Sequence, residues 1–422
     1  LADSMAGNID SVNALLDDVY GRALQAFDAE RRDVHGALRD AGLDDTPMAW
    51  DWRFGAERVR QARYAFDDAE VKPYFSLEGV TRAAFDCAHR LFGLRFVRND
   101  EIPVYHPDVV AYEVHDVGDL GDGGDGAGGK VAPADAAPGR LVGIFLHDNY
   151  ARQTKRSGAW MNALRWQSRN GPVVLPIIMN NNNFARGAPG APTLLGFDDA
   201  RTLFHEFGHG LHGLLSDVRF ENLSGTHVRR DFVELPSQLY EHWLLEPEVI
   251  ARHARHWETG EPIPAALVER LRASRRWGQA YETVRYCGSA LLDMAIHARE
   301  NKSPPADLTV FEAQTLEALR LPAEAGLNHR LPHFQHLFSG ASYAAGYYVY
   351  LWAEVLDADA FEAFHEAGGP FDPATARRLR RSIYAAGDSV PPQQAYVAFR
   401  GRMPSIEPLL RKRGLLADMA AG

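Results

Sequence analysis

The chain has 422 residues, 46% hydrophobic and 24% charged, with a formal net charge of −11. This is a globular composition, long enough to bury a large core and to form two or three domain-sized units. The acidic balance excludes a nucleic-acid binder, and no apolar run is long enough to cross a bilayer. Two cysteines, Cys87 and Cys287, are too few for a disulfide framework and lack metal-ligand spacing, which points to a reducing, cytoplasmic compartment.

Helical periodicity dominates. Met5–Leu43 reads as two amphipathic helices, and so does most of Pro264–Leu321. Strand-like runs gather between about Arg95 and Met179, at Val109–Val114, Arg140–Leu146 and Val173–Met179. The first two flank an insert rich in Gly, Asp and Ala, Gly118–Gly139, which reads as a mobile hairpin loop rather than a calcium site. Val173–Met179 and the following Asn180–Asn183 are expected to form an edge strand able to pair with an extended substrate. The fold class is therefore mainly α with a small β-sheet. It divides into a helical part over 1–94, the sheet over 95–200 and a second helical part over 201–422.

The densest chemistry lies at His205-Glu206-Phe207-Gly208-His209. On a helix, histidines four apart project from one face about a turn from each other. Both imidazoles can then ligate one zinc ion, and Glu206 stands beside any water bound to it, placed to take a proton. A catalytic zinc needs a third protein ligand. The metzincin pattern is excluded, because it requires glycine at 212 and histidine at 215, where this chain has His212 and Leu215. Glu234 is the better candidate. It follows a Gly-containing stretch, Asn222–Thr226, that lets a second helix pack back across the first. Glu234, Gln238 and Glu241 share a face of that helix, so Glu241 can orient a ligand histidine. On spacing alone, the same two glutamates can equally be a solvated helix face. Further on, a loop rich in Gly and Ser over 336–343 leads into Tyr347, Tyr348 and Tyr350. Tyrosine phenols can donate to a developing oxyanion, although such a stripe also makes an ordinary apolar helix face.

The run HEFGHGLH followed by SGTHVRRDFVELPSQLYEHW resembles the thimet oligopeptidase / neurolysin family of zinc metallopeptidases. That family includes bacterial oligopeptidase A and the peptidyl-dipeptidases. Further matches run through most of the chain, at Val71–Phe75, His106–Val109, Lys155–Met161 and Phe399–Arg402. The resemblance implies a gluzincin-type catalytic region binding one Zn2+ per chain through His205, His209 and Glu234, with Glu206 as general base. It implies that Tyr350 stabilises the oxyanion. Tyr343, Tyr347 and His336, on a mobile loop over 336–350, would contact substrate. Arg230 matches a family arginine, which can bind a substrate carboxylate or backbone, or hold Asp231 or another local carboxylate in an ion pair. His227 matches a further substrate contact. The substrates would be short peptides. The family also carries a further N-terminal helical region, which would be a partner forming one wall of the substrate channel. Two modes are open, release of C-terminal dipeptides and internal cleavage, and a third reading is a zinc- and peptide-binding fragment without turnover. The chain departs from the family at Phe54-Gly55, where two tyrosines are common, and at Ala386–Ser389, where the turn is usually richer in glycine. Its spacing from His336 to Tyr343 is slightly long.

Overall fold

The computed structural model describes residues 1–43, 47–118, 139–299, 303–341 and 343–416. Most of the insert over 118–139 and Ser342 of the tyrosine loop thus lie outside the described residues.

The first region is one helix, Ile9–Asp40, rather than two. The Asn8 side chain caps it by accepting the Ser11 N–H, and the stripe Val12, Leu16, Val19, Ala23, Phe27, Val34 and Leu38 is buried. Gly21 and Gly36 lie within it but do not break it, since one unbroken apolar stripe outweighs the roughly 1 kcal/mol each glycine costs. That stripe packs on Gln279–His297, where Trp52 stacks between Phe27 and Tyr281 at centroid distances of 4.8 and 4.5 Å. The stretch 264–321 forms three helices, Ala265–Arg276, Gln279–His297 and Leu308–Ala318, against two expected. Gly278, at φ +84°, parts the first from the second, a conformation open to glycine without steric cost.

Five strands make one sheet: β1 (Leu94–Arg98), β2 (Val110–Asp116), β3 (Arg140–Tyr150), β4 (Trp160–Arg165) and β5 (Ile177–Phe184). Their order is β1-β2-β3-β5-β4, with only the β3–β5 pair parallel. This corrects two expectations. The strand written as Val173–Met179 begins at Ile177, because Pro172 and Pro176 offer no N–H to a ladder and Val174 makes only an isolated bridge to Ser168. It is also not an edge strand: β5 is paired on both sides, and the edge on its side of the sheet is β4.

Phe145 of β3 meets Phe207 at 5.4 Å and packs with Phe85 and Phe96, joining the sheet to the helices Leu77–Phe92 and Phe197–Leu215. The latter helix carries the HEFGH motif. Its far side lies so close to Leu235–Glu241 that a Cβ at Gly208 would sit 2.7 Å from both the Pro236 carbonyl oxygen and the Ser237 Cα. Backbone on the receiving side cannot rotate away. Gly208→Ala should therefore cost about 2 kcal/mol of stability and loosen the approach of Glu234. The check is a urea midpoint together with a metal titration, and an unchanged midpoint would refute the close-packing argument.

Candidate metal centre and active site

The motif helix is fixed by its apolar side, where Phe204, Phe207, Leu211 and Leu214 are buried; each such side chain contributes about 1.5–3 kcal/mol. The opposite side presents His205, Glu206 and His209. After the short turn Glu221–Leu223 the chain returns as Arg230–Val233 and then Leu235–Glu241. The expected second helix is thus broken at Glu234, because Pro236 has no N–H to donate to the Phe232 carbonyl. Glu234 stands at the joint with φ −82° and ψ −11°.

This geometry brings three ligand types together. Glu234 Oε2 lies 3.2 Å from His205 Nε2 and 3.2 Å from His209 Nε2. Bonds of 2.0–2.1 Å in a tetrahedral zinc site place ligand atoms about 3.3 Å apart. These three residues are the group among the described residues able to hold a metal ion. His205 Nδ1 lies 2.7 Å from Glu241 Oε1, which leaves Nε2 toward the other ligands, and Arg201 approaches the second Glu241 oxygen at 3.7 Å. Ser237 Oγ donates to Glu234 Oε2 at 3.1 Å. Ser237 and Arg201 carry no signal in the sequence that would set them apart from other helix residues.

The electrostatics ask for positive charge. Burial disfavours a charged His205, but Glu234 and Glu241 outweigh it and hold its pKa well above the ordinary histidine value. Burial resists ionisation of Glu234, yet His209 and His205 draw it well below the usual carboxylate range. Glu206 behaves differently. Burial raises its pKa despite the two histidines, and its Oε2 has no protein partner. Glu206 and His205 line a cleft of about 930 Å3 that extends past Glu241, His242, Arg272 and Glu354.

The tyrosine loop stands across from the ligands as one cluster. The His336 ring lies 5.0 Å from Tyr343, 5.5 Å from Tyr347 and 5.9 Å from Tyr350. The Tyr350 hydroxyl is 3.4 Å from His336 Nε2, and Gln238 Nε2 donates to the Tyr350 carbonyl at 3.3 Å. Burial, then the Glu234 charge, pushes the Tyr350 pKa up, so the phenol keeps its proton. Arg230 lies over the Tyr343 ring at 4.2 Å. It does not hold Asp231, which instead accepts the Met5 and Ala6 N–H groups and the Tyr348 hydroxyl. His227 is placed apart, against Trp166 at 4.5 Å and with Nδ1 3.2 Å from the Glu221 carbonyl oxygen.

Comparison with known proteins adds a family to this geometry. The profile described as Peptidase family M3 matches residues 1–123 and 130–415. The chain belongs to peptidase family M3. Among curated M3-type relatives, the dipeptidyl carboxypeptidases of Salmonella typhimurium and Escherichia coli are 40% and 37% identical over 418 residues. Oligopeptidase A of Escherichia coli is 34% identical over 422 residues. Each alignment covers 98% of this chain but only 58% of the relative. No helix among the described residues is long and apolar enough to cross a membrane.

Proposed function

We propose that this chain carries the catalytic machinery of a zinc peptidase that acts on short peptides and releases C-terminal dipeptides. The observation that carries the reading is the convergence of His205, His209 and Glu234 beside Glu206, with His205 and Glu206 lining a cleft. Zinc held by those three residues would lower the pKa of a water molecule toward neutrality and polarise a peptide carbonyl.

The chain's own residues supply the rest. Glu206 has a buried carboxylate with a raised pKa and a free oxygen, suited to take the proton of the attacking water and pass it to the leaving amine. Tyr350 keeps its proton and can donate to the oxyanion as it forms. Edge strand β4 offers unpaired backbone to an extended peptide, the role first expected of β5. Arg230, Tyr343, Tyr347 and His336 form a polar aromatic wall for substrate, and His227 contributes only if a peptide extends toward Trp166. Glu241 fixes the face that His205 presents. Glu241→Gln should therefore weaken zinc binding about 10- to 100-fold. Competition against a chromophoric chelator measures this, and parent-like affinity would remove Glu241 from the site.

Dipeptide release is preferred because two relatives of that name share 40% and 37% identity. The similarity to oligopeptidase A over the same span supports internal cleavage as the second reading. The test is a nine-residue peptide with a free or amidated C-terminus, digested with and without chelator and analysed by mass spectrometry. Dipeptides from the free-ended peptide alone support the proposal. Internal cuts in both establish the oligopeptidase mode. Zinc binding without cleavage favours the third reading, a zinc- and peptide-binding module without turnover.

A further inference from the structure

The tyrosine segment is held from behind by the helix Gln279–His297, which bears none of the residues assigned above. Asp293 on that helix is fully buried. Its Oδ2 accepts the Tyr347 N–H at 2.8 Å and its Oδ1 accepts the Ala345 N–H at 3.1 Å. His297, one turn further on, brings Nδ1 to 2.7 Å from the same Oδ1. A buried carboxylate is tolerated only when its oxygens are satisfied, and here two amides and an imidazole do so. Tyr286 of the same helix donates its hydroxyl to the Tyr347 carbonyl and accepts the Leu351 N–H at 3.1 Å. Both backbone polar groups of Tyr347 are thereby fixed to one helix. Ala345 has φ +51°, a left-handed conformation that residues other than glycine rarely adopt, so a specific contact must hold it.

We propose that Asp293 is a positioning residue, clamping the backbone of 345–347 so that the Tyr350 phenol is held facing the metal ligands. The inference rests on the peptidase reading above. Tyr350 follows Tyr347 by three residues, at the start of the helix Val349–Glu366, so the clamp sets where that helix begins. Slack of about 1 Å in such a group costs up to roughly 100-fold in rate. In Asp293→Asn one oxygen still accepts, but an amide nitrogen faces an N–H that needs an acceptor.

The experiment is a double-mutant cycle on the metal-loaded chain with a peptide substrate. Asp293→Asn should lower kcat about 10- to 100-fold, with KM and zinc content close to the parent's. In the Tyr350→Phe background the same substitution should cost less than about threefold, because the group it positions is gone. Amide hydrogen exchange over 343–350 should quicken in Asp293→Asn. Equal losses in both backgrounds, or an unchanged kcat, overturn the proposal and leave Asp293 a packing residue. If Asp293→Asn fails to fold, Asp293→Glu keeps the charge, and its loss must likewise vanish in the Tyr350→Phe background. A parent chain that binds zinc but cuts no peptide sinks the peptidase reading instead. The clamp is then judged by exchange alone, and unchanged exchange over 343–350 overturns it.

Discussion

Glu206→Gln is expected to bind zinc as the parent does and to lose turnover by roughly 10²- to 10⁴-fold. The substitution keeps the shape of a side chain that is 6% exposed, so neither the motif helix nor the ligand set should move. What it removes is the function proposed for this carboxylate, the exchange of a proton with water and then with the departing amine. Burial raises the Glu206 pKa against the pull of His205 and His209, which favours proton uptake. The checks are metal content by atomic spectroscopy and kcat on the nine-residue peptide. A zinc-loaded variant with parental turnover would mean that another group is the base.

The second large effect falls on Tyr350. Tyr350→Phe should lower kcat by about 10²- to 10³-fold while KM changes by no more than a few-fold. The ring keeps its contact with Tyr347 at 5.8 Å and the backbone keeps its bond from Gln238, so the loss is of one hydroxyl. A donor that acts only on the developing oxyanion contributes nothing to binding the ground-state peptide. Steady-state kinetics separates the two cases, and a change confined to KM would make Tyr350 a ground-state binding residue.

The site was legible where chemistry and helical spacing coincide. His205 and His209 are four apart, and the structure brings Glu234 within 3.2 Å of both. Glu241 was reachable by the same reasoning, because it lies seven residues, about two turns, beyond Glu234. The break at Glu234 was signalled by Pro236, yet spacing arguments assume an unbroken helix and pass over it. The sheet was legible as a region but not in its order. Nothing in Ile177–Phe184 records that β3 lies beside it in parallel and β4 on its other flank. Alternation reports burial of side chains, whereas edge or centre is a property of neighbours. Asp293 was invisible for a related reason. Apart from His297, its partners lie 52 and 54 residues away and are backbone amides, which leave no mark in side-chain identity.

The first helix was expected in two pieces, and its continuity has a mechanical consequence. Its 32 residues make a rod of about 48 Å. Just before it begins, the Met5 and Ala6 amides are tied to Asp231, which also receives the Tyr348 hydroxyl. Some two thirds of the way along it, Glu30 accepts the Ala280 and Tyr281 amides that open the helix bearing Asp293. A hinge in the middle would absorb a push on either end. A stiff strut instead delivers it to the far attachment, and both attachments lead to the segment that carries Tyr350. Anything leaning on the remote end of this strut is therefore geared to the Tyr350 phenol.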